Sequence, residues 1–276
     1  MKTIFSFLDT CFEEAPASYG IFHIISLLCV IGVTVFLCIR FSSCSDKTLR
    51  RIALISWIIV LVLEIYKQLV FTVSLEDSEF VYDFQWYAFP FQFCSSPLYV
   101  LPFIAFLPSE KYRDVFIGFM ATFSLFAGIA VMLYPGDVFI RTIGIDIQTM
   151  VHHGSQVALG IFFAVHFMKR QERASLKRFC VGAVATFTAM LIIAMVMNII
   201  VYHAFLANGI DETFNMFYIS PYFDCTLPVL SGVYATVPYP VFLAIYIIGF
   251  SFVAAIILLI QQGIFKLVNK RKAKSL

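Results

Sequence analysis

Long apolar segments alternate with short polar connections along the whole 276-residue chain. Seven segments are apolar over about 20 residues, the length that an α-helix needs to cross the hydrocarbon core of a bilayer. The third is interrupted by Pro90, Pro97 and Pro102, so we expect a broken helix there. The predicted spans are 20–39, 52–73, 86–107, 115–134, 148–168, 179–203 and 241–261. The pattern predicts an all-α polytopic membrane protein with seven transmembrane helices.

The composition agrees with a chain whose solvent is lipid. Hydrophobic residues make up 61% of the chain and charged residues only 13%, whereas a soluble domain carries about 25% charged residues. The mean hydropathy is +0.91. The net charge is only +2, and the basic residues form no stripe with interleaved aromatic residues. We therefore expect no nucleic-acid partner.

The distribution of charge predicts how the chain is oriented. Sixteen of the 19 Lys and Arg residues follow spans one, three, five and seven, while twelve of the 17 acidic residues lie in the N-terminal arm and after spans two, four and six. Because basic loops remain in the cytoplasm, we expect the N-terminus outside and the C-terminus in the cytoplasm. Residues 1–19 are then an extracytoplasmic arm, 20–265 the seven-helix domain and 266–276 a basic cytoplasmic tail.

A charged side chain costs about 2.5–3.5 kcal/mol at the centre of a bilayer, so ionisable residues inside the predicted spans indicate a structural or functional role. Glu64 and Lys67 share one face of span two and can pair. That pair either locks the helix packing or forms the polar floor of a site. His152 and His153 begin span five, with Gln156 on the same face as His152. Either the histidines are catalytic, or one lies at the membrane interface and the other forms a hydrogen bond with a loop carbonyl.

These polar groups converge near the outer ends of several predicted spans. Lys67 is near the outer end of span two and His152 near that of span five, and Cys94 lies about eight residues inside span three. Asn215 and Asp224 belong to the outer loop between spans six and seven. The inner halves of the spans hold few polar groups. The sequence therefore predicts a pocket that opens to the outer leaflet or to the outer surface.

Cys94 and His152 offer the chemistry of acyl transfer at that level. A thiol is a weak nucleophile until it is deprotonated, and an adjacent imidazole that takes the proton makes it reactive. The intermediate would be a thioester on Cys94. The alternative is that Cys94 is a small packing residue. The candidates to hold the oxyanion are Gln92, Ser95, Ser96 or backbone N–H groups freed near Pro97. The candidates to orient the histidine are Gln156, Asn215 and Asp224.

The chain carries no sequence signature of a metal, retinal or nucleotide site. A metal needs three or four N, O or S ligands, and neither an HxxxH nor a CxxC spacing occurs. Span seven has no lysine for retinal, and no phosphate-binding glycine motif is present. We therefore expect no cofactor. The seven cysteines do not form a disulfide framework, although a bridge between Cys11 and Cys225 stays open.

Three short motifs resemble those of known families. "FPFQFCSSPLY" at 89–99 resembles the Pro-x-x-x-Cys element of the YwaF-like bacterial integral membrane proteins, "MVHHG" resembles their His-bearing helix, and "FNMFYISP" at 214–221 is similar to their Asn-aromatic segment. The interval from Cys94 to His152 also resembles that of the eukaryotic transmembrane acyltransferases that remodel ether phospholipids. The resemblance covers about residues 15–265. It implies a bacterial multi-pass protein of the cell membrane with Cys94 and His152 as the catalytic pair.

The sequence thus favours a membrane lipid acyltransferase or acyl hydrolase in which His152 activates Cys94. Membrane lipids are the expected partners, and Glu64, Lys67 and His153 would support the site. A transporter of a small polar or lipid-like solute is the main alternative, because charged pairs and broken spans also occur in transporters. Against it stand the dry inner halves of the spans and the lack of an internal duplication. A sensor that titrates at the two histidines is a third interpretation.

Overall fold

The computed structural model is a bundle of α-helices, and the structure describes residues 2–76, 79–136, 138–170 and 175–274. Long apolar runs form these helices because only intra-helical hydrogen bonds can satisfy the backbone in lipid. The helices are α1 Lys2–Leu8, α2 Ile21–Phe41, α3 Asp46–Thr72, α4 Ser96–Phe106, α5 Glu110–Phe119, α6 Leu125–Leu133, α7 Ile143–Lys169, α8 Leu176–Asn208, α9 Leu230–Thr236 and α10 Tyr239–Lys274.

Irregular elements connect some of these helices. A π turn, Met120–Ser124, joins α5 to α6 into one continuous stretch. Short 3₁₀ turns occur at Trp86–Ala88, Phe93–Ser95 and Met216–Tyr218. Strands β1 Val73–Glu76 and β2 Glu79–Tyr82 form an antiparallel hairpin directly after α3. The all-α prediction did not include this hairpin, whose eight residues the sequence analysis treated as the end of a span and a loop.

The prediction of a multi-pass helical membrane protein is confirmed. Within the described ranges, five stretches have the length and apolar composition to cross a membrane, and they coincide with predicted spans one, two, four, six and seven. The remaining predicted spans differ. Helix α7 has 27 residues but buries many polar ones, and span three is reduced to the 11 residues of α4, about 16 Å of helix. The count of seven spans and the orientation therefore stay predictions.

The helices divide into a central group and a lipid-facing group. The apolar window of the α5–α6 stretch is 67% buried, whereas the windows of α2 and α10 are only 6% and 11% buried. Large apolar side chains cover the outside of α2 and α10, including Ile31, Phe36, Phe252 and Leu259. An apolar surface of this kind is stable in lipid and not in water. The α5–α6 stretch is thus the centre around which the other helices pack.

Two glycines allow α5 and α8 to pack backbone against backbone. A Cβ at Gly118 would lie 2.3 Å from the carbonyl oxygen of Phe179, and a Cβ at Gly182 would lie 2.5 Å from the Cα of Val115. No real Cβ comes so close to a backbone atom, so either change would force the helices apart. Small residues at such crossings supply the close van der Waals contact that drives helix association in membranes.

Ion pairs hold one end of the bundle together. Arg113 at the start of α5 pairs with Asp46 at the start of α3. Arg170 after α7 pairs with Glu110 and, at 2.9 Å, with Asp114 of α5. The basic residues of the predicted cytoplasmic loops therefore lie at one end of the bundle, which agrees with the charge pattern.

The N-terminal arm is fastened to the opposite end. The Phe12 amide donates to the Arg141 carbonyl at 2.7 Å, and the Ile143 amide donates to the Thr10 carbonyl at 3.0 Å. The Tyr66 hydroxyl of α3 donates to the Leu8 carbonyl. The arm therefore crosses the loop before α7 and is held there by these hydrogen bonds.

The two cysteines for which a bridge was left open, Cys11 and Cys225, both have free thiols, and Cys225 is buried.

Prediction from the helix crossing. Gly118→Ala should destabilise the protein by about 1–3 kcal/mol, because the new methyl group overpacks against backbone atoms that cannot move away alone. Gly249→Ala on α10 is the matched control. A Cβ there meets no atom within 4 Å, and alanine favours a helix by about 1 kcal/mol over glycine. The measurement is the thermal midpoint of each purified variant in detergent. Equal midpoints for both variants would contradict the close crossing.

Candidate functional site

The irregular segment 89–95 carries Cys94 into the interior of the bundle. Pro90 removes a backbone donor, and Pro97 lies in the first turn of α4, where its fixed φ favours a helix start. The carbonyls that the broken helix leaves free are satisfied by side chains. The Tyr99 hydroxyl donates to the Pro90 carbonyl at 2.5 Å, and Nε2 of Gln68 donates to the Ala88 carbonyl at 2.9 Å. Buried irregular backbone of this kind is tolerated in a membrane protein only with such partners.

Two side chains of α7 hold the carbonyl oxygen of Cys94. Nε2 of His152 lies 3.0 Å from it and Nε2 of Gln156 lies 2.6 Å from it. The two residues are four apart, so they project from consecutive turns on one face of α7. The structure therefore brings Cys94 and His152 into contact, and the contact runs through the backbone of Cys94.

This contact fixes the tautomer of His152. A carbonyl oxygen only accepts hydrogen bonds, so Nε2 must carry the proton and Nδ1 of a neutral ring keeps its lone pair. Nδ1 is buried and has no hydrogen-bond partner among the described residues. Likewise, no described hydrogen bond joins the Cys94 thiol to either histidine ring. Nδ1 is thus the nitrogen that can accept a proton.

Gly128 allows α6 to pack closely against the turn of α7 that carries these side chains. A Cβ at Gly128 of α6 would lie 2.7 Å from Cβ of Gln156 and 2.8 Å from the His153 carbonyl oxygen. The bare glycine lets α6 and α7 touch at this height. His153 itself uses Nδ1 to donate to the Thr149 carbonyl of its own helix at 2.8 Å. The two histidine rings meet edge to face, with centroids 5.5 Å apart.

A charged pair on α3 flanks the same spot. Nζ of Lys67 lies 2.8 Å from Oε1 of Glu64, and Nε2 of Gln68 donates to the same oxygen at 2.9 Å. The pair predicted from sequence is therefore formed. The same Gln68 amide also donates to the Ala88 carbonyl, which ties the pair on α3 to the start of the irregular segment that carries Cys94. Glu64 is 4% exposed, and its Oε2 has no partner within the described residues.

Unpaired polar atoms gather around Cys94. Besides Nδ1 of His152 and Oε2 of Glu64, these are Oε1 of Gln156 and the hydroxyl of Ser96, all buried and without a partner in the described part of the chain. Leaving a buried polar atom unpaired costs about 1–3 kcal/mol. The group offers donors and acceptors to a polar ligand at one place, from α3, α4 and α7. Ser95, the neighbour of Cys94 in sequence, is also buried.

The segment 214–221, the Asn-aromatic loop, is folded into the bundle beside this place. Gln92 clamps it with both ends of its amide, since Nε2 donates to the Asn215 carbonyl at 3.2 Å and Oε1 accepts from the Phe217 amide at 3.0 Å. Asn198 of α8 pairs in the same two-sided way with the backbone of Met216, at 3.0 and 2.7 Å. The loop is buried without regular structure because these amides replace a helix or sheet partner.

Two consecutive aromatic residues of the loop adopt a left-handed backbone. Phe217 has φ 58° and Tyr218 has φ 57°, a conformation that bulky side chains rarely take and that costs about 1–3 kcal/mol each. The Phe217 amide is held by Gln92, and its carbonyl accepts from the Tyr246 hydroxyl of α10 at 2.9 Å. Strain held in place by buried hydrogen bonds is typical of a functional site.

The predicted site residues are mostly brought together, with one clear exception. The residues around Cys94 are Glu64, Lys67, Gln92, Ser95, His152, His153 and Gln156. Asn215 joins through the Gln92 clamp, and its own amide closes the loop by bonding the Ser220 amide and the Asp224 carbonyl. The Asp224 side chain is exposed and only its backbone takes part. Gln92 has both amide ends occupied by the loop, so it positions the loop in this structure.

Sequence reasoning missed the tyrosines. Tyr99 and Tyr246 anchor the two irregular segments, and Tyr246 is fully buried. The signal available was a hydroxyl inside an apolar span, which must find a partner there. Among the described residues, no group of three or more His, Cys, Asp or Glu side chains is placed to hold a metal ion.

Prediction from the Gln92 clamp. Gln92→Leu should loosen the Asn-aromatic loop, because it strands one buried donor and one buried acceptor at about 1–3 kcal/mol each. The measurement is hydrogen exchange of amides 214–221, which should become much faster. Gln85→Leu is the control, since the Gln85 amide bonds only Asp83 in its own loop. Unchanged exchange in the Gln92 variant would show that the clamp does not hold the loop.

The comparisons with known proteins agree with this membrane architecture. The model of the TMEM164 family, a family of transmembrane proteins, matches residues 18–261, which include the irregular segment, the α7 histidines and the Asn-aromatic loop. No curated protein and no solved structure matches the chain. Since the match covers most of the chain, the protein belongs to the TMEM164 family.

Proposed function

We propose that the protein transfers or hydrolyses an acyl chain of a membrane lipid, with Cys94 as the nucleophile and His152 as its base. The observation that carries the proposal is the fixed tautomer of His152. Its Nε2 is tied to the Cys94 carbonyl at 3.0 Å, and its buried Nδ1 has no partner among the described residues. A nucleophile beside an oriented base is the arrangement that covalent catalysis requires.

The first half of the reaction forms a thioester. Nδ1 of His152 takes the thiol proton, and the sulfur of Cys94 attacks the carbonyl carbon of the lipid ester. The C–S bond forms, the C–O bond breaks, and the departing alkoxide takes the proton back from Nδ1. Because the two ring nitrogens point to opposite sides of the imidazole, Nδ1 cannot reach the Cys94 thiol while Nε2 donates to the carbonyl of the same residue. When the lipid binds, the His152 ring therefore turns away from that carbonyl, which Gln156 continues to hold at 2.6 Å, and Nδ1 comes into contact with the thiol.

The second half returns the cysteine to its starting state. A hydroxyl of a second lipid, or water, gives its proton to Nδ1 and attacks the thioester carbonyl. The new C–O bond forms, the C–S bond breaks, and the thiolate is reprotonated by the imidazolium. A lipid hydroxyl makes the reaction a transfer and water makes it a hydrolysis.

The remaining polar atoms take supporting roles. The Ser96 hydroxyl, buried and without a described partner, is the donor we assign to the oxyanion of the tetrahedral intermediate. Gln156 holds the Cys94 carbonyl at 2.6 Å together with His152, so the nucleophile keeps its position while the ring changes charge. Lys67, which pairs with Glu64 at 2.8 Å, offers its ammonium group to a phosphate headgroup.

An apolar groove beside α7 fits an acyl chain. The groove has a volume of 420 Å³, and α2, α3 and α7 line it with almost only apolar surface. Met150, Val151 and Gly154 belong to its wall and are neighbours in sequence of the two histidines. The groove lies between predicted spans one, two and five.

A cluster of phenylalanines speaks against the transporter alternative. Phe93, directly before the nucleophile, packs on Phe187 and Phe250 with ring centroids 5.9 and 5.1 Å apart, and Phe123 stacks on Phe187 at 4.4 Å. A solute pathway needs polar groups or water along its length. The resemblance of the motifs around Cys94 and His152 to YwaF-like proteins and Cys/His acyltransferases of the cell membrane supports the lipid reaction instead.

Prediction for the thioester. Purified protein incubated with phospholipid should gain the mass of one acyl chain, and hydroxylamine should remove it, because thioesters react with hydroxylamine. Cys94→Ala should gain nothing, and His152→Ala should lose at least about 10² of the acylation rate, the typical contribution of a general base. The measurement is intact mass over time.

The control for the thioester is Cys180→Ala, which removes another partly buried thiol, on α8, and should be acylated like the wild type. Acylation of the Cys94→Ala variant would move the nucleophile elsewhere. If no lipid acylates the wild type while a small alkylating agent still modifies Cys94, the enzyme proposal fails.

Prediction for the oxyanion. Ser96→Ala should slow acylation about 10²- to 10³-fold, the usual effect of removing an oxyanion donor, while alkylation of Cys94 keeps its rate. Ser124→Ala is the matched control, because the Ser124 hydroxyl in the π turn is equally buried and without a described partner. Equal acylation rates in Ser96→Ala and wild type would remove Ser96 from this role.

A further inference from the structure

A second polar cavity lies at the other end of α7, far from Cys94. It has a volume of 380 Å³ and is lined by residues 39–45, Thr48 and Lys169. Lys169 is 17 residues from His152 along one continuous helix, which is about 25 Å. We call this cavity the Lys169 pocket. The proposed acyl chemistry makes no use of it.

The Lys169 pocket carries positive charge that the described residues do not neutralise. Lys169 and Arg40 both line it, and among the described residues no acidic side chain does. The ion pairs at this end of the bundle join Arg113 and Arg170 to Asp46, Glu110 and Asp114 instead. Neither Arg40 nor Lys169 pairs with a carboxylate within the part of the chain that the structure describes. Two unneutralised cations beside one cavity attract an anion.

The hydroxyl groups of the Lys169 pocket are arranged to donate. Nζ of Lys169 donates to the Ser42 hydroxyl oxygen at 2.6 Å and to the Ser43 hydroxyl oxygen at 3.1 Å. Because each oxygen already accepts the ammonium, the two hydroxyl hydrogens are left to donate onward. The third hydrogen of Lys169 and the guanidinium of Arg40 add further donors. A cavity with several donors and no lining carboxylate suits a phosphate group.

The floor of the Lys169 pocket is held rigidly. The Ser42 side chain is 2% exposed, and its carbonyl oxygen lies 3.2 Å from Nδ1 of the buried His166, which must therefore donate. Ser45 caps α3 by accepting from the Thr48 amide at 3.3 Å. The hydroxyl groups therefore keep their positions before any ligand arrives, so little ordering entropy opposes binding.

We infer that the Lys169 pocket binds a phosphate group, through Lys169, Arg40 and the hydroxyl groups of Ser42 and Ser43. The phosphate belongs either to an anionic lipid headgroup or to a soluble phosphate. Basic pockets between membrane helices bind headgroups in this way. Since the Lys169 pocket joins α2, α3 and α7, a bound phosphate stabilises the helices that also form the acyl-chain groove.

The test uses the full chain, purified and delipidated in an uncharged detergent. Its thermal midpoint is followed in three titrations: inorganic phosphate against chloride at equal ionic strength, short-chain phosphatidylglycerol, and short-chain phosphatidylcholine. A ligand that binds only the folded state raises the midpoint in a saturable way. A rise with phosphatidylglycerol alone identifies a headgroup site, and a rise with inorganic phosphate as well identifies a general phosphate site. Both results support the inference.

Variants decide whether the Lys169 pocket is responsible. Lys169→Gln and Arg40→Gln should each weaken the response about 10- to 100-fold in ligand concentration, as expected for losing a hydrogen bond to a charged group. Lys111→Gln, the same charge change at the start of α5 and outside the pocket, should respond like the wild type. Ser43→Asp should abolish the response while keeping the fold, because its carboxylate pairs with Lys169.

Three outcomes overturn the inference. One is the absence of any saturable rise in the wild type with phosphate or phosphatidylglycerol. Another is a rise that survives in Lys169→Gln, Arg40→Gln and Ser43→Asp, or that Lys111→Gln weakens equally. A larger rise with phosphatidylcholine than with phosphatidylglycerol also overturns it, because charge would then play no part. The Cys94 acylation assay is independent of all these results.

Discussion

Backbone that leaves regular structure inside a bilayer must find hydrogen bonds from side chains, and the centre of this protein is built around that constraint. The prolines of segment 89–97 free carbonyl groups, and glutamine, tyrosine and histidine side chains satisfy them. His152 and Gln156 meet that need at Cys94. The same two hydrogen bonds that stabilise the broken span also hold the imidazole of His152 against the backbone of Cys94. Structure and proposed chemistry therefore depend on one carbonyl oxygen.

The sequence was sufficient for the apolar helices because composition and length alone determine a span. It also placed Cys94, His152 and the Glu64–Lys67 pair at one level, since each could be counted from the end of its own helix. The prediction of span three was incomplete. Its prolines indicated a break in the helix, but the sequence did not show that only α4 is α-helical there. The Gln92 clamp could not be predicted from the sequence, because its partner Phe217 lies 125 residues away. Asp224 was chosen for its carboxylate, and only its carbonyl contributes.

The two ends of α7 differ in how they treat charge. At the Cys94 end, Glu64 and Lys67 neutralise each other. The buried polar atoms without a described partner belong to uncharged side chains or to Glu64 itself. At the Lys169 end, the arginines take the available carboxylates and two other cations stay unneutralised among the described residues. A buried ion pair costs less to keep in lipid than either charge alone, whereas unneutralised cations are stable only where water or an anionic surface can reach them. One helix thus connects an interior site with an interfacial one.

The Gln92 clamp also has a consequence for biosynthesis. At about 5–20 residues per second, Gln92 is synthesised roughly 6–25 s before Phe217. During that interval the free amide group of Gln92 and the interrupted backbone beside it lack their final partners. Segment 89–97 can become fully ordered only when the last quarter of the chain arrives, and truncation upstream of the Asn-aromatic loop would leave it open to chaperones and proteases.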